Sequence, residues 1–552
     1  MLSRFRVIAV VAAVGLLAVA CSSSGKSSSG NGGTPGGTLT ISNEQGGLWT
    51  CGFNPFNPAV QFLSVGPVYE PLVFVNALKS GATSPWLASK YEWSTDNKSL
   101  TFTIRDGVKW SDGQPLTAND VVYTFQLMKQ HPSLDLNSVW SVLSDVVLKG
   151  SNQVVMTFKQ SAVPYFYYVA DQVGIVPQHI WSKIPGDPAA YVDNPPVGSG
   201  AFKVQPCTPQ NITYVRNDSY WQPGLPKVAK VLYPAYTSND PANLDLATGK
   251  AQWGSQFIPN INTFYTNRSP NNHYWFPPLT NVSVFINLKD PVLGAQVVRQ
   301  AMAYAIDREK VAKVAEYGYQ PAANQAGIVT PTYQSWLDTS QQGYSLDTNK
   351  TTSLLTSAGY HKGSDGIFVS PSGQRLSFGI INIGDYSDWV AAVHEIQVDL
   401  AKVGIEIKAQ NVSSDDYNNR LYNGQFQLAY GDETGGPTPY YEFRQWLYSA
   451  NSAPIGKPAS TNYERYSNAQ TDQLLDQYGA TTDENTQHQI MNKLQTVLLQ
   501  DVPLIPVTEG VDWYQYNTSK FSGWVTQDDP YAQPAAYSLP DWGQMLLHLQ
   551  LK

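Results

Sequence analysis

The side chains able to do chemistry lie scattered along this chain and do not gather into a catalytic motif. His394-Glu395 is half of a zinc-protease helix, but the second histidine would stand at position 398, which is Val398. Seven His and no Cys-x-x-Cys pair give no reason to expect a metal. No Gly-x-Ser-x-Gly elbow occurs. Asp415-Asp416 and Asp528-Asp529 are adjacent carboxylates, a spacing typical of solvated turns; a secreted hydrolase with two carboxylates facing a cleft stays open as an alternative. Gly25-Lys26-Ser27 ends like a phosphate-binding loop, but Ala20 stands where the loop's first glycine belongs. No catalytic residue and no cofactor is therefore expected. Aromatic surface is abundant instead, with 15 Trp and 33 Tyr. Such rings offer large contact areas at low rotamer cost, which suits binding surfaces as well as cores.

The elements that must position these residues belong to a large chain. Its 552 residues suggest about three to four domains. Hydrophobic residues make up 42% and aromatics 12%, which excludes a mainly disordered state. The net formal charge of −8, with no basic stripe, argues against nucleic acid as a partner. Leu100, Phe102 and Ile104 alternate with polar residues as in a half-buried strand; Asp106-Gly107 then predicts a hairpin returning through Val108–Trp110. Thr117 predicts the start of a helix carrying Val121, Val122, Phe125 and Met128. Further helices are predicted over about 295–316, 389–403 (closed by Gly404) and 484–499, with strands at 282–286, 405–409 and 426–430 between them. This alternation indicates α/β lobes, and no fixed-period repeat is present.

The N-terminus sets the compartment. Arg4 and Arg6 precede the apolar run Val7–Leu17, which is short for a membrane span but fits a signal peptide over residues 1–20. Ala18, Val19 and Ala20 before Cys21 resemble a bacterial lipobox, with Cys21 as the lipid attachment site; a simple secretory signal is the alternative. Residues 21–37 read as a flexible tether rich in Ser and Gly. The protein is thus expected outside the cytoplasm, periplasmic or on the cell surface, held to the membrane by lipid alone. Cys51 and Cys207 then remain, to be read as one disulfide or as two buried thiols.

Six blocks in order carry a family resemblance. They are Ser84–Ala88 with Trp93–Asp96, Leu100 to Phe125, Pro196–Phe202, Arg216–Trp221, Val298–Arg308, and Leu354-Leu355 with Ala358–Tyr360 and Ile396–Ile405. Together they resemble the family 5 extracellular solute-binding proteins, the oligopeptide- and dipeptide-binding components of ABC importers. The resemblance implies a two-lobed periplasmic-binding-protein-like clamshell of α/β class with an extra inserted subdomain. The first lobe would take 38–76, 195–288 and 509–552, the inserted subdomain 77–194, and the second lobe 289–508. It also implies a monomer that captures short peptides, passes them to permease subunits, and is not an enzyme.

In peptide binders of this family an aspartate after a glycine in the second lobe receives the peptide's amino group, and the peptide lies extended. Tyr430-Gly431-Asp432 occupies the matching place, with Glu433 able to share the role; capping of a turn is the competing role for Asp432. After Asp432 the chain departs from that pattern, running Glu433-Thr434-Gly435-Gly436-Pro437. The segments Trp49–Pro58 and Tyr69–Leu72 are similar to relatives that bind cello-oligosaccharides, making an oligosaccharide the alternative cargo. Trp49, Asn54, Tyr69, Trp389, Tyr430, Tyr440 and Trp446 are the candidates for stacking on sugar faces and reading hydroxyls. Nickel or haem is a further cargo among relatives, and a structural or adhesive surface protein is a third class.

Overall fold

Three sheets organise the chain. A computed structural model describes residues 36–44, 47–57, 64–341 and 343–552. The signal segment, nearly all of the tether and Cys21 lie outside these residues.

The first sheet has seven strands, in the order Asn272–Tyr274, Gln515–Asn517, Trp253–Gly254, Thr38–Ser42, Lys230–Pro234, Asn211–Arg216 and Phe202–Val204. Its members come from both ends of the described chain, with Thr38–Ser42 parallel to Lys230–Pro234 at the centre. The second sheet runs Glu406–Val412, Ser377–Ile383, Leu428–Gly431, Pro278–Ile286 and Leu504–Val511. A four-stranded antiparallel sheet, Ala88–Trp93, Ser99–Ile104, Gln153–Phe158 and Leu143–Lys149, forms within the long insertion after the first strand. The molecule is thus a two-lobed α/β clamshell with an added subdomain. The expected boundary at 288/289 falls too late, because Pro278–Ile286 pairs wholly within the second lobe's sheet. The return boundary at 508/509 is too early for the same reason, since Leu504–Val511 is one unbroken strand of that sheet.

Local chemistry explains where elements start and stop. Asp120 accepts the Thr117 N–H at 2.8 Å and fixes the start of helix Ala118–Gln130. Gly404 adopts φ 88° and closes helix Ser387–Val403, as expected. The helix predicted over 295–316 is broken into Gln296–Ala305 and Arg308–Val314. Asp307 caps the second piece by accepting the Lys310 N–H at 3.1 Å. The buried Arg308 then donates to the carbonyls of Ala303, Ile306 and Pro506, stitching the break to strand Leu504–Val511. The hairpin expected between Leu100–Ile104 and Val108–Trp110 does not form. Ser99–Ile104 pairs with Ala88–Trp93 and Gln153–Phe158 instead, while Trp110 turns back through its N–H to Gln114 O.

Cys51 and Cys207 are joined by a disulfide, with Cα atoms 5.7 Å apart. Both lie in segments attached to the seven-stranded sheet, so the bond leaves movement between the lobes free. In the Pro196–Phe202 block, Gly200 N–H donates to Val68 O at 2.8 Å, and a methyl group on Gly198 would overlap that same carbonyl. Gly198→Ala should therefore destabilise the fold by about 1–3 kcal/mol, the usual cost of overpacking. Chemical denaturation would detect this, and an unchanged midpoint would mean that the loop can move aside.

Candidate functional site

The strand Leu428–Gly431 is central in its sheet and buried at every residue. It lies parallel to Ser377–Ile383 and antiparallel to Pro278–Ile286. Its apolar side chains hold it in register, so the residue that follows, Asp432, is delivered to the sheet's end. Asp432 is exposed to solvent. Yet it is enclosed by protein: its electrostatic neighbours are Tyr386, Asp388, Tyr417 and Tyr430 from the second lobe and Asp512 and Tyr537 from the chain's final segment. Glu44, at the end of the first strand, faces Tyr386 from the opposite lobe. A solvated carboxylate with walls from both lobes lies in a cleft, not on an open surface.

The cleft sits where the chain crosses between the lobes. The two crossings are held together by Trp275 N–H donating to Tyr514 O at 3.1 Å and Asp512 N–H donating to Pro277 O at 3.0 Å. Asp388 stands in the first turn of helix Ser387–Val403, whose N–H groups favour its charge. Loss of water outweighs this and, with Asp432 nearby, pushes its carboxyl up to about 7. Burial likewise pushes Asp512 to about 7 and Asp432 to about 6. These carboxyls crowd one region, and among the described residues no cation acts on any of the three.

The remaining sequence candidates divide by position. Tyr430 is fully buried with its ring edge-on to Trp389 at 5.7 Å, and Trp389 also meets Tyr386 at 5.2 Å. These two therefore back the Asp432 strand. Trp49 is buried in the first lobe, donating its Nε1–H to Tyr233 O at 2.8 Å. Asn54 clamps backbone, donating to the carbonyls of Pro188 and Tyr191 and accepting the Phe56 N–H. Tyr69 donates its hydroxyl to Asp193 in the interior. Trp446 packs against Phe443 in the core, and Tyr440 stacks on Tyr478 at 4.3 Å. Trp49, Asn54, Tyr69, Tyr440 and Trp446 thus hold packing positions with no open face. Gly431 lacks a side chain because the Tyr417 hydroxyl fills that space.

Sequence reasoning missed Tyr386, Asp388, Asp512 and Tyr537; only a carboxylate just inside a helix start hinted at Asp388. It also missed a bridge between lobes. Arg444, on helix Pro439–Leu447, is buried and lies over the rings of Tyr165, Tyr168 and Tyr448, at 5.1, 5.2 and 5.1 Å. Tyr165 and Tyr168 belong to the inserted subdomain, and Tyr441 donates its hydroxyl to Pro164 O at 2.6 Å beside them. Among the described residues no cluster of His, Cys, Asp and Glu is arranged to hold a metal ion, and no helix is long and apolar enough to cross a membrane.

The buried carboxyls fix a pH response. Asp388 and Asp512 titrate near 7, and Glu464 and Asp541 near 8, all raised by burial from ordinary values near 4. The folded chain therefore holds protons that the unfolded chain has lost, so their contribution is full below pH about 4 and lost as pH rises towards 8. The thermal midpoint of the ligand-free protein should fall between pH 5 and 8, less steeply in Asp512→Asn. A midpoint that rises over that range would contradict these assignments.

Comparison with known proteins agrees with this architecture. Residues 82–454 match the sequence profile of the bacterial extracellular solute-binding proteins, family 5. The oligopeptide-binding protein OppA of Bacillus subtilis is 25% identical, over 83% of this chain and 85% of its own. The nickel-binding periplasmic protein of Escherichia coli is 24% identical, over 83% of this chain and 88% of its own. The crystal structure of a Thermotoga maritima periplasmic oligopeptide-binding protein with bound mannohexaose superposes with a TM-score of 0.85 at 26% identity, covering 93% of this chain and 98% of that one. Members of this group are binding proteins of ABC importers that work outside the cytoplasm. With its two lobes, its acidic cleft and more than half of its length matched, the chain belongs to the family 5 bacterial extracellular solute-binding proteins.

Proposed function

We propose that the protein captures short peptides outside the cytoplasm and delivers them to the permease subunits of an ABC importer. The observation that carries this reading is Asp432: a solvent-reachable carboxylate at the end of a buried strand, enclosed by both lobes, with no cation acting on it from the described residues. A peptide's α-ammonium supplies the missing charge, and a charge-assisted hydrogen bond there would be among the stronger contacts. Contacts from both lobes to one ligand would favour the closed form of the clamshell. The Thermotoga maritima relative crystallised with mannohexaose makes oligosaccharide the competing cargo. Lipidation of Cys21, with residues 21–37 as a tether, would keep the protein at the membrane beside its permease.

Native mass spectrometry of the purified protein separates the cargoes: amino-acid mass ladders support peptides, and hexose increments overturn them. In titration calorimetry, Asp432→Ala should weaken peptide binding at least about tenfold, roughly 1.4 kcal/mol. Because Asp432 titrates near 6, wild-type affinity should rise as pH increases from 5 to 7. Unchanged affinity in the variant would remove Asp432 from the site.

A further inference from the structure

Behind Asp432 lies a second acidic pocket that the capture of one ammonium does not use. In the antiparallel pairing Ser283 stands opposite Gly431 and Phe285 opposite Ala429. Residues 283 and 285 therefore share one sheet face with 429 and 431, and Glu433 follows two residues beyond the strand's end. Here the interior holds an unusual set of acceptors. Both carboxyl oxygens of Glu433, both of Glu464, Ser283 Oγ and Asn281 Oδ1 are buried without a hydrogen-bond partner among the described residues. Ser283 and Glu464 are 0% exposed, Asn281 1% and Glu433 8%. Buried polar groups nearly always find partners, so a cluster of unpartnered acceptors marks a place built for a donor.

The surroundings specify what kind of donor. The electrostatic neighbours of Glu433 are Glu464, Glu442 and Asp432, all acidic. Glu442 is already engaged by Asn281, which donates its N–H at 2.7 Å and its amide at 3.0 Å. Arg465, beside Glu464, favours the charged form of that carboxyl, but turns its Nη groups to the carbonyls of Tyr463, Tyr422 and Lys457. Arg444 is held by tyrosine rings across the seam. Tyr417, Tyr422 and Tyr463 wall the pocket from the second lobe, and Tyr168 approaches from the inserted subdomain. Tyr422 and Tyr463 lie 5.6 Å apart. Burial raises Glu433 and keeps Glu464 protonated up to about pH 8 in the free protein; a cation entering between these aromatic walls would displace the proton, gaining from charge and from the rings' negative faces. A guanidinium brings five N–H donors and an ammonium three, to set against these acceptors. Asp432 and Thr434, on either side of Glu433 in the chain, are exposed.

We propose that the Glu433–Glu464 pocket receives a guanidinium or primary ammonium side chain of the cargo while Asp432 holds its α-ammonium, so that the preferred peptides carry Arg or Lys at the first or second position. The inference rests on the peptide reading given above. Asp432 and Glu433 would then serve two cationic centres of one ligand.

Titration calorimetry on the purified protein decides it, using Arg-Ala-Ala and Ala-Arg-Ala against the same peptides with neutral citrulline in place of Arg. One Arg peptide should bind at least about tenfold more tightly than its citrulline partner. In Glu433→Gln and Glu464→Gln that ratio should fall towards one, and in Glu464→Gln the citrulline peptide should stay within about threefold of its wild-type affinity. Equal binding of Arg and citrulline peptides to the wild type would overturn the pocket and leave the peptide reading intact. Failure of all four peptides to bind would overturn both. Should either variant fail to fold, the wild-type ratio alone decides between these outcomes.

Discussion

Removing carboxyl groups from water without giving them a cation is the constraint on which this cleft depends. Asp388, Asp432 and Asp512 converge from a helix start, a strand end and a lobe crossing; burial raises Asp388 and Asp512, and the protein enclosing solvent-reached Asp432 raises it too. A fold normally relieves such crowding with a salt bridge. Among the described residues ion pairs lie elsewhere, for example Lys310 with Glu395 and the buried Asp399, and Arg375 with Asp365. The cleft is left with its charge unbalanced, and a cationic ligand of the kind proposed above would relieve the repulsion. Binding and conformational preference would then share one electrostatic origin.

Holding acidic groups in such a place requires a rigid frame. The second lobe supplies it through a sheet whose central strand is buried throughout, and through Arg308, which ties a helix break to the neighbouring strand. The first lobe supplies its part through a sheet closed by both ends of the described chain and a disulfide within its own body. Two crossings joined by backbone hydrogen bonds connect the two sheets, so the lobes can be stiff while the seam between them moves.

Much of this was legible in the sequence. Ordered family blocks, the Gly404 helix stop and the run into Tyr430-Gly431-Asp432 each have a local cause, in turn chemistry or in an apolar strand that must be buried. Asp432 was singled out by the family resemblance, which places an aspartate after a glycine at that point of the second lobe. The break at Asp307 was missed because the apolar period continues through it; only the tertiary contacts of Arg308 reveal the stop. The aromatic candidates illustrate a deeper limit. Trp49 and Trp446 have the composition of a stacking platform, but period and type do not say which face a neighbour covers. Asp512 and Tyr537 stayed hidden because they reach the cleft from more than eighty residues beyond Tyr430, through a crossing that leaves no sequence signature.

Arg444 is a full positive charge buried where the inserted subdomain meets the second lobe; its direct contacts are tyrosine rings and a phenol oxygen, with the Asp135 and Asp476 carboxyls within electrostatic reach. An exposed ion pair weakens as mobile ions gather around it. A guanidinium pressed between rings leaves dissolved ions little to screen. An extracytoplasmic protein meets whatever salinity its surroundings impose, and a contact of this kind would be less sensitive to it than an exposed ion pair.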